Sequence, residues 1–134
     1  MLESSSIVGL ICAAGVGSRM GLGKPKQYMT FAGLPMLVHT ARALCEVQRL
    51  SDVVIVVSPT DPYIDEVAHL LPARVRILRA GGRERAESVR NGLAQAGFPP
   101  SAYVLVHDAA RPCVRPSEIA QLIDAVSADD SVAG

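Results

Sequence analysis

The sequence predicts an α/β domain built on a doubly wound, mostly parallel sheet. Three observations carry this prediction. Apolar residues come in short continuous blocks, helical patterns separate the blocks, and the order reads β-α-β-α-β-α-β-α. Continuous apolar blocks are expected of strands covered by helices on both faces. Successive β-α-β units imply right-handed crossovers and therefore parallel strands. At 134 residues, 49% hydrophobic and 19% charged, the chain has room for one domain with one buried interior, and disorder is excluded.

The first strand is Ile-Val-Gly-Leu-Ile-Cys-Ala at 7–13. A helix over 37–46 follows Pro35. The Val-Val-Ile-Val-Val block at 53–57 is the second strand. Thr60, Asp61 and Pro62 then combine a capping residue with a proline suited to a first helical turn, which predicts a helix over 63–71. A third strand is expected at 75–78. A helix over 85–96 should stop at Gly97, and the fourth strand is expected at 103–106. Pro116 and Ser117 open a last helix over 118–126. Residues 129–134 read as a turn and the opening of a further strand, which would make the sheet incomplete at its C-terminal end and the chain a portion of a longer protein. A short tail is the plainer reading.

Thirteen basic residues balance thirteen acidic ones, which argues against a general nucleic-acid or membrane binder. The balance is uneven, because residues 4–45 contain no Asp or Glu but hold Arg19, Lys24, Lys26 and Arg42. An anionic ligand is therefore expected near the N-terminal third. Three widely spaced cysteines without a Cys-x-x-Cys suggest no disulfide or metal framework, and a reducing cytoplasm is the default. The apolar run at 7–14 is too short to span a bilayer and lacks the basic start of a signal peptide.

Ligands of open α/β sheets bind beyond the carboxyl ends of the strands. Four loops qualify, at 14–28, 58–61, 80–84 and 107–112. In the first, Gly15 and Gly17 allow successive backbone N–H groups to face an anion, and Arg19 and Lys26 add charge. The P-loop pattern fails, because Ser18 takes its first glycine position and Pro25 stands where it needs Ser or Thr. The dinucleotide fingerprint fails too, because Gly15-Val16-Gly17 is not followed by a third glycine. The second strand also ends in Ser58-Pro59-Thr60 rather than an acid that could take a ribose. A nicotinamide enzyme is thus disfavoured. A merely flexible surface loop would explain the glycines, but not Arg19, Pro25 and Lys26 beside them.

In the last loop Asp108 sits where a metal or ribose contact is usual. An Asp108–Arg111 ion pair bracing the loop explains the same residues equally well. His107 reads as a hydrogen-bonded interior residue, and His39 and His69 fall within helices. In the third loop Gly81 and Gly82 can bring backbone close to a flat ligand, with Ser88 facing it. The charges of Arg83, Glu84, Arg85 and Glu87 fit a solvated helix start.

Taken together, four motifs resemble one family closely. They are Ala13-Ala14-Gly15-x-Gly17-x-Arg19-Met20, Pro25-Lys26-Gln27-Tyr28, Gly81-Gly82-x-Glu84-Arg85-x-x-Ser88-Val89 and Val106-His107-Asp108-Ala109-Ala110-Arg111-Pro112. In order and spacing they look like the 2-C-methyl-D-erythritol 4-phosphate cytidylyltransferases, nucleotidyltransferases with a Rossmann-like fold. The related ribitol-phosphate enzymes tend to carry Ser-Val at Ala109-Ala110. The resemblance implies a Mg²⁺-dependent transfer of CMP from CTP to a sugar-alcohol phosphate in the non-mevalonate isoprenoid pathway. By the same resemblance Arg19 and Lys26 stabilise the transition state. Ala13, Ala14, Gly15, Gly17, Ser18, Gly82, Ser88, Asp108 and Ala109 contact the nucleotide. Asp108 also approaches the metal, and Arg111 meets the second substrate.

The sequence departs from the family at Cys12, where proline is common, and at Arg83, where many members carry a small or acidic residue. Family members exceed two hundred residues, and their later part supplies a dimerising β-arm and acceptor-binding residues. The chain should therefore keep most of the CTP side, with a homodimer expected only of a full-length protein. A ribitol 5-phosphate cytidylyltransferase and a truncated nucleotide-binding module without turnover are the alternatives.

Overall fold

The computed structural model describes residues 6–14, 25–109, 116–117, 120–121 and 123–124. Its order is β1 (Ile7–Ala13), a 3₁₀ turn (Lys26–Tyr28), β2 (Thr30–Phe31), β3 (Leu34–Pro35) and α1 (Met36–Cys45). Then come β4 (Leu50–Val57), α2 (Ile64–Val67), a second 3₁₀ turn (Ala68–Leu70), β5 (Val75–Leu78), α3 (Arg85–Ala96) and β6 (Tyr103–Asp108). Residues 116–117, 120–121 and 123–124 are helical, as expected near the predicted last helix.

The main sheet runs β5-β4-β1-β6, and all of its pairings are parallel. The chain moves outward from β1 through β4 to β5, and then α3 carries it back to β6 on the other side of β1. Strand order reverses between β1 and β6, the place where such sheets open a ligand crevice.

Alternate residues of each central strand supply two separate apolar layers. Ile11, Val53, Ile55 and Val57 pack with Leu37, Ala41 and Leu44 of α1. On the opposite face Leu10, Val54 and Val56 pack with Ala80 and Ala96. Because both faces are covered, β1 and residues 53–57 of β4 read as unbroken apolar runs. Close approach of α3 depends on Gly92, where an added Cβ would lie 2.5 Å from Val56 Cγ2 and 3.2 Å from Leu10 Cδ1.

Four elements differ from the sequence expectation. β4 begins at Leu50, three residues before the apolar block, because Leu50 pairs with Ile7 while Ser51 and Asp52 lie toward solvent. β6 continues through His107 and Asp108, so these two are strand residues and not loop residues. The expected helix over 63–71 is instead the short α2 followed by the second 3₁₀ turn, in which the Ala68 carbonyl accepts from Leu71 N at 3.1 Å, and Pro72 has no N–H to extend it. Finally, β2 and β3 form a small antiparallel hairpin turned by Ala32 and Gly33, both at positive φ (49° and 85°). Two-residue strands are too short to show alternation, so this hairpin left no periodic signal.

Candidate functional site

A cavity of about 280 Å³ opens at the carboxyl ends of β1 and β6. Its wall includes Ala14, Lys26, Gly82, Ser88 and Asp108, which come from four motifs spread over most of the sequence. Cys12, Gln27, Arg83, Glu84 and Arg85 complete it. Gly15, Gly17, Ser18, Arg19 and Arg111 lie outside the described residues.

Lys26 owes its place to the residues around it. Pro25, at φ −60° and ψ 154°, turns the chain into the Lys26–Tyr28 turn. Buried Gln27 donates from Nε2 to the Ala13 carbonyl at 2.9 Å, which fastens the turn to the end of β1. The Tyr28 hydroxyl donates to Asp61 Oδ2. Asp61 Oδ1 in turn accepts from the backbone N–H groups of Tyr63 at 2.7 Å and Ile64 at 3.2 Å. The turn is thus pinned on both sides, while Lys26 itself is exposed and forms no salt bridge among the described residues. Neither Gln27 nor the Tyr28–Asp61 contact was singled out from sequence. The Gln-Tyr pair after Pro-Lys was visible, but its partners lie far along the chain.

Burial, and then the Asp61 carboxylate, push the Tyr28 hydroxyl well above its ordinary ionisation range. The unfolded chain releases this proton near pH 10 while the folded chain retains it, so folding stability falls as pH rises above about 10. The urea midpoint of the protein should therefore drop from pH 9.5 to pH 11.5 more steeply than that of Tyr28→Phe. Parallel slopes for the two proteins would contradict this.

The wall opposite in sequence is built by the start of α3. Gly81 must be glycine, because a Cβ there would stand 2.5 Å from Ala14 Cβ and 3.0 Å from the Val57 carbonyl oxygen. Gly82 N donates to Ser88 Oγ at 2.9 Å, and Arg83 N donates to Glu87 Oε1 at 2.7 Å. Ser88 is only 1% exposed, so it both shapes the loop and borders the cavity. Residues 83–86 are exposed, as expected of a solvated helix start, and Glu87 adds a hydrogen bond to the Arg83 amide.

Asp108 closes β6 with its side chain about half exposed. Arg85 pairs with it, Nε to Oδ1 at 3.7 Å, and this is a cation that sequence had placed only in a solvated helix start. Ala13 and Ala109 have their side chains in the apolar interior. The Ala13 carbonyl is held by Gln27, Ala109 N donates to the Cys12 carbonyl at 3.0 Å, and the Thr40 hydroxyl donates to the Ala109 carbonyl at 3.3 Å. Neither Ala13 nor Ala109 is among the residues that line the cavity. Of the remaining histidines, His39 Nε2 contacts the Phe31 carbonyl and joins α1 to the hairpin.

A parallel α/β sheet with a cavity bordered by charged and polar side chains at its topological switch point is a domain of the doubly wound class, whose ligands bind in that crevice. Residues 7–133 match the family profile described as IspD: 2-C-methyl-D-erythritol 4-phosphate cytidylyltransferase. The protein of that name from Laribacter hongkongensis is 49% identical over 125 residues, covering 93% of this chain and 54% of the relative. Its counterpart from Mannheimia succiniciproducens is 42% identical over 121 residues, covering 90% of this chain and 52% of the relative. A crystal structure of 4-diphosphocytidyl-2C-methyl-D-erythritol synthase superposes with a TM-score of 0.79 at 32% identity, over 92% of this chain and 55% of that one. The chain belongs to the 2-C-methyl-D-erythritol 4-phosphate cytidylyltransferase family. It spans about half the length of the curated relatives it matches.

Among the described residues, no group of three or more His, Cys, Asp or Glu side chains could by itself hold a metal ion. Among the same residues, no helix is long and apolar enough to cross a membrane.

Proposed function

We propose that this chain provides the CTP-binding half of a cytidylyltransferase that acts on 2-C-methyl-D-erythritol 4-phosphate. A phosphate oxygen of the acceptor attacks the α-phosphorus of CTP, the bond to the bridging oxygen breaks, and pyrophosphate leaves. The observation that carries the reading is the single cavity joining Lys26, the Gly82–Ser88 loop and Asp108. Phosphoryl-type transfer asks a protein mainly for positioning and for positive charge around a crowded anionic centre. Lys26 supplies that charge from a pinned turn. Ser88 spends an oxygen lone pair on Gly82 N and keeps its own proton to donate to a base carbonyl.

The residues present fit a magnesium ion. Asp108 offers a hard, half-exposed carboxylate oxygen on the cavity wall. Mg²⁺ characteristically takes one or two protein carboxylates, with substrate phosphates and water completing its shell. Bound there, it would offset the negative charge of the triphosphate. The same reading sets the protein in the cytoplasm and makes the complete protein a homodimer.

Calorimetry on the 134-residue chain tests the nucleotide half. CTP with Mg²⁺ should bind and ATP should bind at least about tenfold more weakly, the discrimination expected when a site built to hydrogen-bond one base meets another. Absence of CTP binding would overturn the reading. Pyrophosphate release by a turnover-competent protein carrying this chain then tests the acceptor. Preference for ribitol 5-phosphate would overturn the methylerythritol assignment, and CTP binding without turnover on either acceptor would leave a binding module.

A further inference from the structure

The contact between Arg85 and Asp108 joins the first turn of α3 to the carboxyl end of β6, and both residues line the cavity. At 3.7 Å, with side chains 56% and 43% exposed, such a pair adds little to stability. Its location is the more informative feature. Among the described residues of the cavity wall, the cations are Lys26, Arg83 and Arg85 and the carboxylates are Glu84 and Asp108. Loss of Arg85 would take away one cation that stands beside the Asp108 carboxylate, which faces any entering polyphosphate.

We propose that Arg85 is a positioning residue for Asp108. It holds and offsets the carboxylate in the absence of a divalent cation, and so sets how strongly nucleotide binding depends on that cation. An exposed, slightly long ion pair suits this role, because it is readily exchanged when a cation of higher charge arrives with the nucleotide. The inference rests on the nucleotide-binding reading of the cavity. It differs from a direct Arg85–phosphate contact in one respect, namely that the effect of Arg85 must pass through Asp108.

The test is calorimetric titration of CTP, with EDTA and with saturating Mg²⁺, into the chain and into Arg85→Gln, Arg85→Lys, Asp108→Asn and the double variant Arg85→Gln/Asp108→Asn. Arg85→Gln should weaken magnesium-free CTP binding about tenfold, a size within the range of coupling between two residues in contact. Arg85→Lys should restore most of it. The loss should shrink to within about twofold at saturating Mg²⁺, and equally in the Asp108→Asn background, as coupling through a shared partner requires. A loss of the same size with and without Mg²⁺, or one that persists when Asp108 is Asn, would overturn the proposal in favour of direct contact or a structural role. An unchanged affinity in Arg85→Gln would overturn it as well. Failure of the unaltered chain to bind CTP in either condition would instead sink the nucleotide reading, and this proposal with it. Unchanged urea midpoints in the Arg85 variants separate these outcomes from misfolding.

Discussion

Replacing Lys26 by alanine should lower turnover about 10²–10³-fold in a turnover-competent protein carrying this chain, the cost typical of losing one preorganised charge stabiliser. The size of the effect follows from how the residue is held. Lys26 opens a turn that Gln27 ties to Ala13 and Tyr28 ties to Asp61, so its charge reaches the cavity without prior rearrangement. Because the side chain itself is exposed and outside the apolar layers, the variant should keep its urea midpoint. Lys24→Ala, two residues earlier, should cost far less, since the family motif specifies Pro25-Lys26 and leaves its neighbour free. Single-turnover measurements at saturating CTP distinguish the cases. A Lys26→Ala rate within a few-fold of the parent, or equal losses for the two lysines, would reduce Lys26 to general surface charge.

Truncation of Leu10 to alanine is the largest expected effect on folding. Leu10 lies on the central strand β1, is fully buried and packs with Val54 and Val56 beneath α3. Deleting its branched end removes apolar contacts and leaves a void that Gly92, directly above, cannot fill. Burial of this kind places the loss at about 2–5 kcal/mol, a large share of the roughly 5–15 kcal/mol that holds a domain folded. Leu93→Ala on the outer side of α3, where the side chain is 37% exposed, should cost well under half as much. Urea unfolding of the two variants side by side measures the difference, and similar midpoints would mean that α3 does not pack on β1 as described.

The strands and helices most legible in the sequence are those whose signal is local and repeated. β1, β5 and α3 have the bounds expected from their apolar blocks and from the stop at Gly97. The extension of β6 was not legible because it depends on β1 alongside, and the hairpin of β2 and β3 because its strands are too short to leave a periodic signal. Ser51 falls at the register shift between Leu50 and Asp52, and Asp52 belongs to β4 because Val8 of β1 pairs with it. His107 and Asp108 belong to β6 for the same reason.

The site divides along the same line. Glycines, Lys26, Ser88 and Asp108 stood out because their chemistry is unusual at strand ends. Gln27 and Glu87 did not, since their hydrogen bonds leave no mark on composition or spacing. Asp61 was legible as a capping residue but not as the partner of Tyr28. Arg85 was read as one charge among several on a solvated helix start, and its pairing with Asp108 required α3 to return over the sheet.

By itself the sequence determined a parallel α/β domain, the carboxyl-end loops that carry its chemistry, and the family those loops resemble. These properties are written in periodicity and in short motifs, which act over a few neighbouring residues. Only the tertiary structure decided which of those motifs share a cavity, that Ala13 and Ala109 have their side chains in the apolar interior, and that Arg85 meets Asp108. Such contacts join positions far apart in the chain, and they arise only when the reversal of strand order brings the ends of β1 and β6 and the start of α3 together.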